Sequence, residues 1–253
     1  MRLFGLIGYP LSHSFSKKYF TEKFAREGIA DASYELFELP DIGGFPALLK
    51  SQPQLRGINV TIPHKLNVIP FLDALDDAAA RIGAVNVIRV GADGRTKGYN
   101  SDYYGFGSSL TDWFRQLHGE SGPARLQCLK ALVLGSGGAS KAVQTALQDM
   151  GIPGQIVSRQ AAHGLGYEDL TPALVAEHAL IVNATPLGTA PHTAAFPPFP
   201  YGLLGAGHYL YDLVYNPPVT AFMQQGQARG AHVLNGLPML YAQAEKSWEI
   251  WNE

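Results

Sequence analysis

Short apolar runs alternate with helical patterns along most of the chain. In its N-terminal part the runs at 3–7, 34–37, 57–60 and 84–90 read as strands. Apolar positions at helical spacing predict helices between them at 16–27, 41–50 and 76–82. Ala92-Asp93-Gly94-Arg95 is a turn signal, so a hairpin return is expected through 96–99. A helix is then expected from Asp102 toward Phe114. A second series opens with a strand at 129–134, a glycine-rich turn at 135–139 and a helix at 140–150 closed by Gly151. Strands at 155–157, 180–183, 209–213 and 232–234 follow, with helices at 172–178 and 220–228. The stretch 190–207 is rich in Pro, Gly and aromatic residues and reads as a long irregular loop. The last helix, 238–251, carries an apolar stripe at Leu237, Tyr241, Ala244, Trp248 and Trp251, which predicts a docking face. Strands alternating with helices predict an α/β architecture with largely parallel sheets.

Composition narrows the classes. A length of 253 residues implies one to two domains and a sizeable core. The 19 basic and 21 acidic residues nearly balance, and no basic run stands out, so no nucleic-acid partner is expected. The single cysteine, Cys128, excludes an intrachain disulfide and a thiolate zinc cage. Eight histidines lie scattered without ligand spacing, so no metal site is expected. No stretch approaches the roughly 18 apolar residues of a membrane span. The apolar N-terminal stretch is broken by Gly5, Gly8 and Pro10 and lacks the pattern of a signal segment. The expectation is a soluble, cytoplasmic protein with no membrane partner.

The chemistry begins with Gly135-Ser136-Gly137-Gly138-Ala139, which sits between a strand and a helix. A helix N-terminus there offers free amides and a positive dipole end to a phosphate, and glycines allow close approach. The dinucleotide fingerprint is met loosely, because Ser140 occupies its last position. A tight turn without ligand would look the same. An NAD site places an acid about 20 residues on, for the ribose 2′-hydroxyl. Ser158 and Arg159 stand there instead, and a guanidinium suits a 2′-phosphate, which favours NADP.

A second group of polar residues falls at element ends. Ser14 and Ser16 follow the first strand, where two hydroxyls two residues apart suit a carboxylate, although one of them could be a plain helix cap. Lys65 closes Asn59-Val60-Thr61-Ile62-Pro63-His64-Lys65 after a strand, where α/β sheets bind ligands. Taken alone it reads as a solvated lysine. Asn86 and Asn100-Ser101-Asp102 add amides and a carboxylate, and Asp102 alone could be a helix cap. Together these groups suit a small polyhydroxylated acid.

In order, these motifs closely resemble the shikimate dehydrogenase family over nearly the whole chain. The segments 8–16, 59–65 and 83–86 resemble its substrate motifs, as do Asn100-Ser101-Asp102 and Gly105-Phe106. The segments 135–139, 183–188, 212–217 and 236–240 with Gln243 complete the series. The resemblance implies NADP-linked reduction of 3-dehydroshikimate to shikimate, a step toward chorismate and the aromatic amino acids. It implies an N-terminal α/β substrate domain with a mainly parallel sheet, 1–102 plus 238–253, and a Rossmann-like NADP domain, 103–237. The active site is expected in the cleft between them, with the last helix returning to the first domain. Carried over by position, Lys65 and Asp102 are the catalytic pair. Ser14 and Ser16, with Tyr215, would hold the carboxylate. Thr61, Asn86, Asp102 and Gln243 would bind the ring hydroxyls or carbonyl. Gly135, Gly137, Gly138 and Ala139 would line the pyrophosphate and Arg159 the 2′-phosphate. Ser158, Thr185, Leu213 and Gly236 complete the cofactor set.

The chain departs from the family at several points. Lys17 replaces a common proline, Ser101 the usual threonine and Ser158 a common asparagine. Gln160-Ala161-Ala162-His163 offers no further basic residue, which implies a modest NADP preference, and Thr189 stands where methionine is common. Two alternatives remain at this level: a quinate/shikimate dehydrogenase with mixed NAD and NADP use, and a non-catalytic NADP-binding regulatory protein. A monomer and a homodimer are both compatible with the pattern.

Overall fold

The computed structural model describes residues 1–11, 14–159 and 164–253. Ser12 and His13 of the first substrate motif, and 160–163 after Arg159, lie outside the described residues. The chain divides into two compact units, Met1–Ser101 with Ala244–Glu253, and Asp102–Gln243.

The first unit runs β1 (Arg2–Gly8), α1 (Phe15–Arg26), β2 (Ala32–Glu38), α2 (Phe45–Ser51), β3 (Leu55–Val60), α3 (His64–Asn67), β4 (Ala74–Leu75), α4 (Asp77–Ile82), β5 (Val87–Val90) and β6 (Thr96–Tyr99). Its sheet has the order β2-β1-β3-β5-β6-β4. The β1 strand pairs in parallel with β2 and β3, whereas β5 is antiparallel to both β3 and β6. The interior strand β1, flanked by β2 and β3, is apolar and buried on both faces, as a covered parallel sheet requires. The pleat sends Phe4 and Leu6 into a core with Phe20, Tyr34 and Trp251, and Leu3 and Ile7 into one with Phe45, Ile58 and Ile88.

Two expected elements are shorter than the pattern suggested. The helix expected at 41–50 is a 3₁₀ turn, Ile42–Gly44, followed by α2. Gly43 and Gly44 are poor helix formers, and Pro46 is tolerated only in a first turn. The strand expected from residue 84 starts at Val87. The Val85 amide donates instead to the Lys65 carbonyl, 2.8 Å away, which ties that segment to α3.

After α5 (Ser101–His118), whose first residue belongs to the first unit, the second unit holds α6 (Gly122–Gln127), β7 (Ala131–Leu134), α7 (Gly138–Asp149), β8 (Gly154–Val157), α8 (Pro172–Glu177), β9 (Leu180–Asn183), β10 (Tyr209–Asp212), α9 (Ala221–Gln227) and β11 (His232–Leu234). Its sheet, β11-β10-β9-β7-β8, is parallel throughout. Alternate residues of β7 enter opposite cores, Ala131 and Val133 with Phe106 and Trp113, and Leu132 and Leu134 with Ile181 and Phe222.

The helix α10 (Leu237–Asn252) contributes to both units. Ala244 and Trp251 are buried in the first unit and Trp248 packs against them. The stripe does not run the full length, because Leu237 and Tyr241 are exposed. No helix among the described residues is long and apolar enough to cross a membrane.

Candidate active site

In the first unit the expected substrate residues gather along one sheet edge. Parallel pairing brings the carboxyl ends of β1 and β3 to the same side. Antiparallel β5 starts there, with Val87 opposite Asn59, and β6 ends there, with Tyr99 opposite Val87. Ser14 caps α1, its hydroxyl accepting the Lys17 amide at 3.2 Å. Ser14 caps the helix as an acceptor, and its hydroxyl has its own hydrogen to donate. Thr61 follows β3; its amide donates to the Ile7 carbonyl and its carbonyl accepts from His64. Lys65 stands on α3, and the turn is anchored by buried His64, whose Nε2 lies 2.5 Å from the Leu39 carbonyl. Asp102 lies inside the first turn of α5 and is not the cap.

Behind this edge runs a buried polar chain. The Tyr34 hydroxyl donates to Asn59 Oδ1 at 2.8 Å and also bonds the Ser16 side chain. Asn59 Nδ2 donates to Ser247 Oγ at 3.0 Å, and Ser247 Oγ lies 3.4 Å from Ser101 Oγ. Asn86 closes the chain, donating to Ser101 Oγ at 3.1 Å and accepting from its amide at 2.7 Å. Burial without a charged partner pushes the Tyr34 phenol well above its ordinary value. Tyr34, Asn59 and Ser247 have no site role in the sequence reading. Their polar side chains on buried faces are the signal that marks them.

In the second unit every strand end carries an expected cofactor residue. Gly135 follows β7 with φ +109°, and a Cβ there would meet Thr185 Cγ2 at 3.0 Å. Gly137 is the N-cap of α7 and supplies no side chain to its first-turn amides. A Cβ on Gly137 or Gly138 would enter open space. Ala139 is exposed in the first turn. Ser140, the departure from the fingerprint, is fully buried and donates to the Gly137 carbonyl at 2.6 Å, closing the turn internally. Ser158 is buried after β8 and Arg159 is exposed beside it. Gly236 follows β11, where a Cβ would lie 2.1 Å from the Leu213 carbonyl oxygen. Such an opening fits a dinucleotide: uncapped amides and bare glycines for a pyrophosphate, and a guanidinium with no acid for a 2′-phosphate.

Tyr215 is exposed after β10, and Gln243 on α10 donates to the Leu240 carbonyl at 3.1 Å. Two residues without a sequence role hold the β9 and β10 ends. Asn183 Oδ1 accepts from the Thr185 amide and hydroxyl at 3.0 and 2.7 Å. Asp212 accepts from Asn183 Nδ2, the Val214 amide and the Thr220 hydroxyl, at 2.9, 3.0 and 2.6 Å. Burial pushes the Asp212 carboxyl up to about 6, with those three donors pulling the other way. The signal was present, since both apolar strands end on a polar residue.

An all-parallel sheet with this glycine turn, together with an α/β unit presenting hydroxyls, amides and an ammonium at one edge, defines a dinucleotide-dependent oxidoreductase of a small polar substrate. A family model, the shikimate dehydrogenase substrate binding domain, matches residues 6–88. The shikimate dehydrogenase (NADP(+)) of Symbiobacterium thermophilum is 36% identical over 277 residues, covering 99% of this chain and 88% of its own. A crystal structure of shikimate 5-dehydrogenase from Thermus thermophilus, in complex with NADP(H) and shikimate, superposes with a TM-score of 0.83 at 31% identity, covering 99% of this chain and 93% of its own. Quinate dehydrogenase from Corynebacterium glutamicum, in complex with NAD, gives 0.85 at 25% identity over 99% and 93%. The chain belongs to the shikimate dehydrogenase family.

Proposed function

We propose that the protein catalyses the reversible, NADP-linked reduction of 3-dehydroshikimate to shikimate, on the route to chorismate and the aromatic amino acids. The observation that carries this reading is the second unit's sheet edge, where Gly135, Arg159, Thr185, Leu213 and Gly236 each follow a different parallel strand. Residues 1–102 with 238–253 serve the substrate, and 103–237 serve the cofactor. The lone cysteine favours a cytoplasmic setting.

The chemistry that NADPH would supply when bound is a hydride for the ketone carbon. The side chains do the rest. Lys65 gives a proton to the ketone oxygen as negative charge develops there, and Asp102 orients the ammonium. Ser14, Ser16 and Tyr215 hold the carboxylate through neutral hydroxyls. Thr61, Asn86 and Gln243 bind ring oxygens. Asn86 has both ends of its amide engaged with Ser101, so it meets the substrate as a fixed group. Gly137, Gly138 and Ala139 give their amides to the pyrophosphate, with Ser158 at the adenosine ribose.

The test is oxidation of shikimate and of quinate with NADP and with NAD, comparing kcat/KM. A dominant shikimate–NADP pair is expected. Preference for quinate with NAD would move the protein to the branch of the Corynebacterium relative. NADPH binding without turnover in any combination would make it a regulatory protein.

Arg159→Ala is expected to raise KM for NADP at least tenfold and leave KM for NAD within twofold. A forked guanidinium contact serves only the 2′-phosphate. An unchanged KM for NADP would remove Arg159 from cofactor selection.

A further inference from the structure

Asp212 is a fully buried carboxylate that the proposed reaction does not use. Its three donors come from three places. Asn183 ends the neighbouring strand β9, Val214 begins the loop after β10, and Thr220 caps α9 while accepting the Met223 amide at 3.2 Å. Asn183 and Thr220 are fully buried as well. The same Asn183 fixes Thr185 through two bonds, and its backbone carbonyl accepts the Leu213 amide at 2.9 Å. Leu213 in turn packs its carbonyl against Gly236. One carboxylate therefore ties together the end of β9, the loop after β10 and the cap of α9.

We infer that Asp212 is a positioning residue, which with Asn183 and Thr220 fixes Thr185 and Leu213 in the single arrangement that receives the nicotinamide nucleotide. This rests on the reading of Thr185 and Leu213 as cofactor residues. The pairing suits that task better than a water-bridged loop would. Both oxygens of the carboxylate are matched to a donor, so rotation of any one group leaves another unsatisfied in a buried site. A buried, fully satisfied polar network specifies one geometry where an apolar one tolerates several.

The experiment compares the wild-type protein with Asp212→Asn, Thr220→Val and Thr220→Ser. NADPH binding is followed by fluorescence titration, and KM and kcat with shikimate and NADP by steady-state kinetics. Melting curves fix a temperature at which every variant used is folded. Asp212→Asn keeps the shape but replaces one acceptor oxygen with a donor. It is expected to raise the Kd for NADPH about tenfold, with Thr220→Val in the same direction and Thr220→Ser restoring wild-type binding through its hydroxyl. In a Thr185→Ala background the Asp212→Asn effect is expected to shrink to the part carried by Leu213, because one of the two positioned groups is gone. A folded Asp212→Asn or Thr220→Val protein that binds NADPH as the wild type does would overturn the inference, as would an undiminished effect in the Thr185→Ala background. Where Asp212→Asn fails to fold, the Thr220 pair decides. A wild-type chain that binds no NADPH would instead bring down the cofactor reading itself, which the unmutated control reports separately.

Discussion

Lys65→Ala is expected to lower kcat about 10²- to 10⁴-fold, the range lost when a positioned proton donor is removed, while the Kd for NADPH stays within twofold. The oxygen of the ketone gains charge during reduction, and without an aimed donor that charge is met only by water. The α3 turn has two holds that do not involve the lysine side chain. The α3 turn is held by buried His64, whose ring bonds the Leu39 carbonyl, and by the Val85 amide on the Lys65 carbonyl. Both contacts survive truncation at Cβ. The measurement is shikimate oxidation at saturating NADP beside a fluorescence titration with NADPH. Turnover within tenfold of the wild type would take Lys65 out of the chemistry.

Trp251→Ala is expected to destabilise the first unit by about 3–5 kcal/mol, the usual loss for a buried large aromatic. The indole stacks on Phe4 with centroids 5.0 Å apart, lies 5.1 Å from Phe20, and donates its N–H to the Ile88 carbonyl at 3.1 Å. It also covers Gly57, where any Cβ would sit 2.3 Å from the ring. Alanine leaves a cavity between the sheet and α10 and removes the indole donor from a carbonyl of buried β5, which keeps its place opposite Ile58 in the ladder. The thermal midpoint should fall by about 10 °C or more. Trp251→Phe, which keeps an aromatic ring there but loses the hydrogen bond and part of the packed ring, should fall by less. A midpoint within 3 °C of the wild type for Trp251→Ala, on the scale of about 2–4 °C per kcal/mol for a chain of this size, would show that α10 is held by other contacts. One candidate is Lys23, buried between Glu27 and Glu245.

Much of the architecture is legible in the chain. Continuous apolar runs such as residues 3–7 and 180–182 announce strands covered on both faces, and Gly135 and Gly151 punctuate the first βα unit of the second series. Parallel wiring then forces the residues after successive strands to one edge, which is why Gly135, Arg159, Thr185 and Leu213 fall together without any contact being known. Composition could not show where α2 begins, because Gly43, Gly44 and Pro46 sit inside an apolar pattern that reads as one helix. The stripe on α10 marked a docking face but not its occupant: Ala244 and Trp251 are buried while Leu237 and Tyr241 are exposed, since periodicity records a face and not what covers it.

The order of elements, the class of both sheets, the glycine turn and the ordered motifs of the family were determined by sequence, because each rests on local spacing and backbone conformation. Tertiary structure alone decided the partners of the buried polar groups. Asn183 meets Asp212 from 29 residues away, and Asn59 meets Ser247 from 188. A polar side chain withdrawn from water must find a partner at hydrogen-bond distance. Which partner it finds depends on strand register and on where a distant helix docks, and no local pattern encodes either.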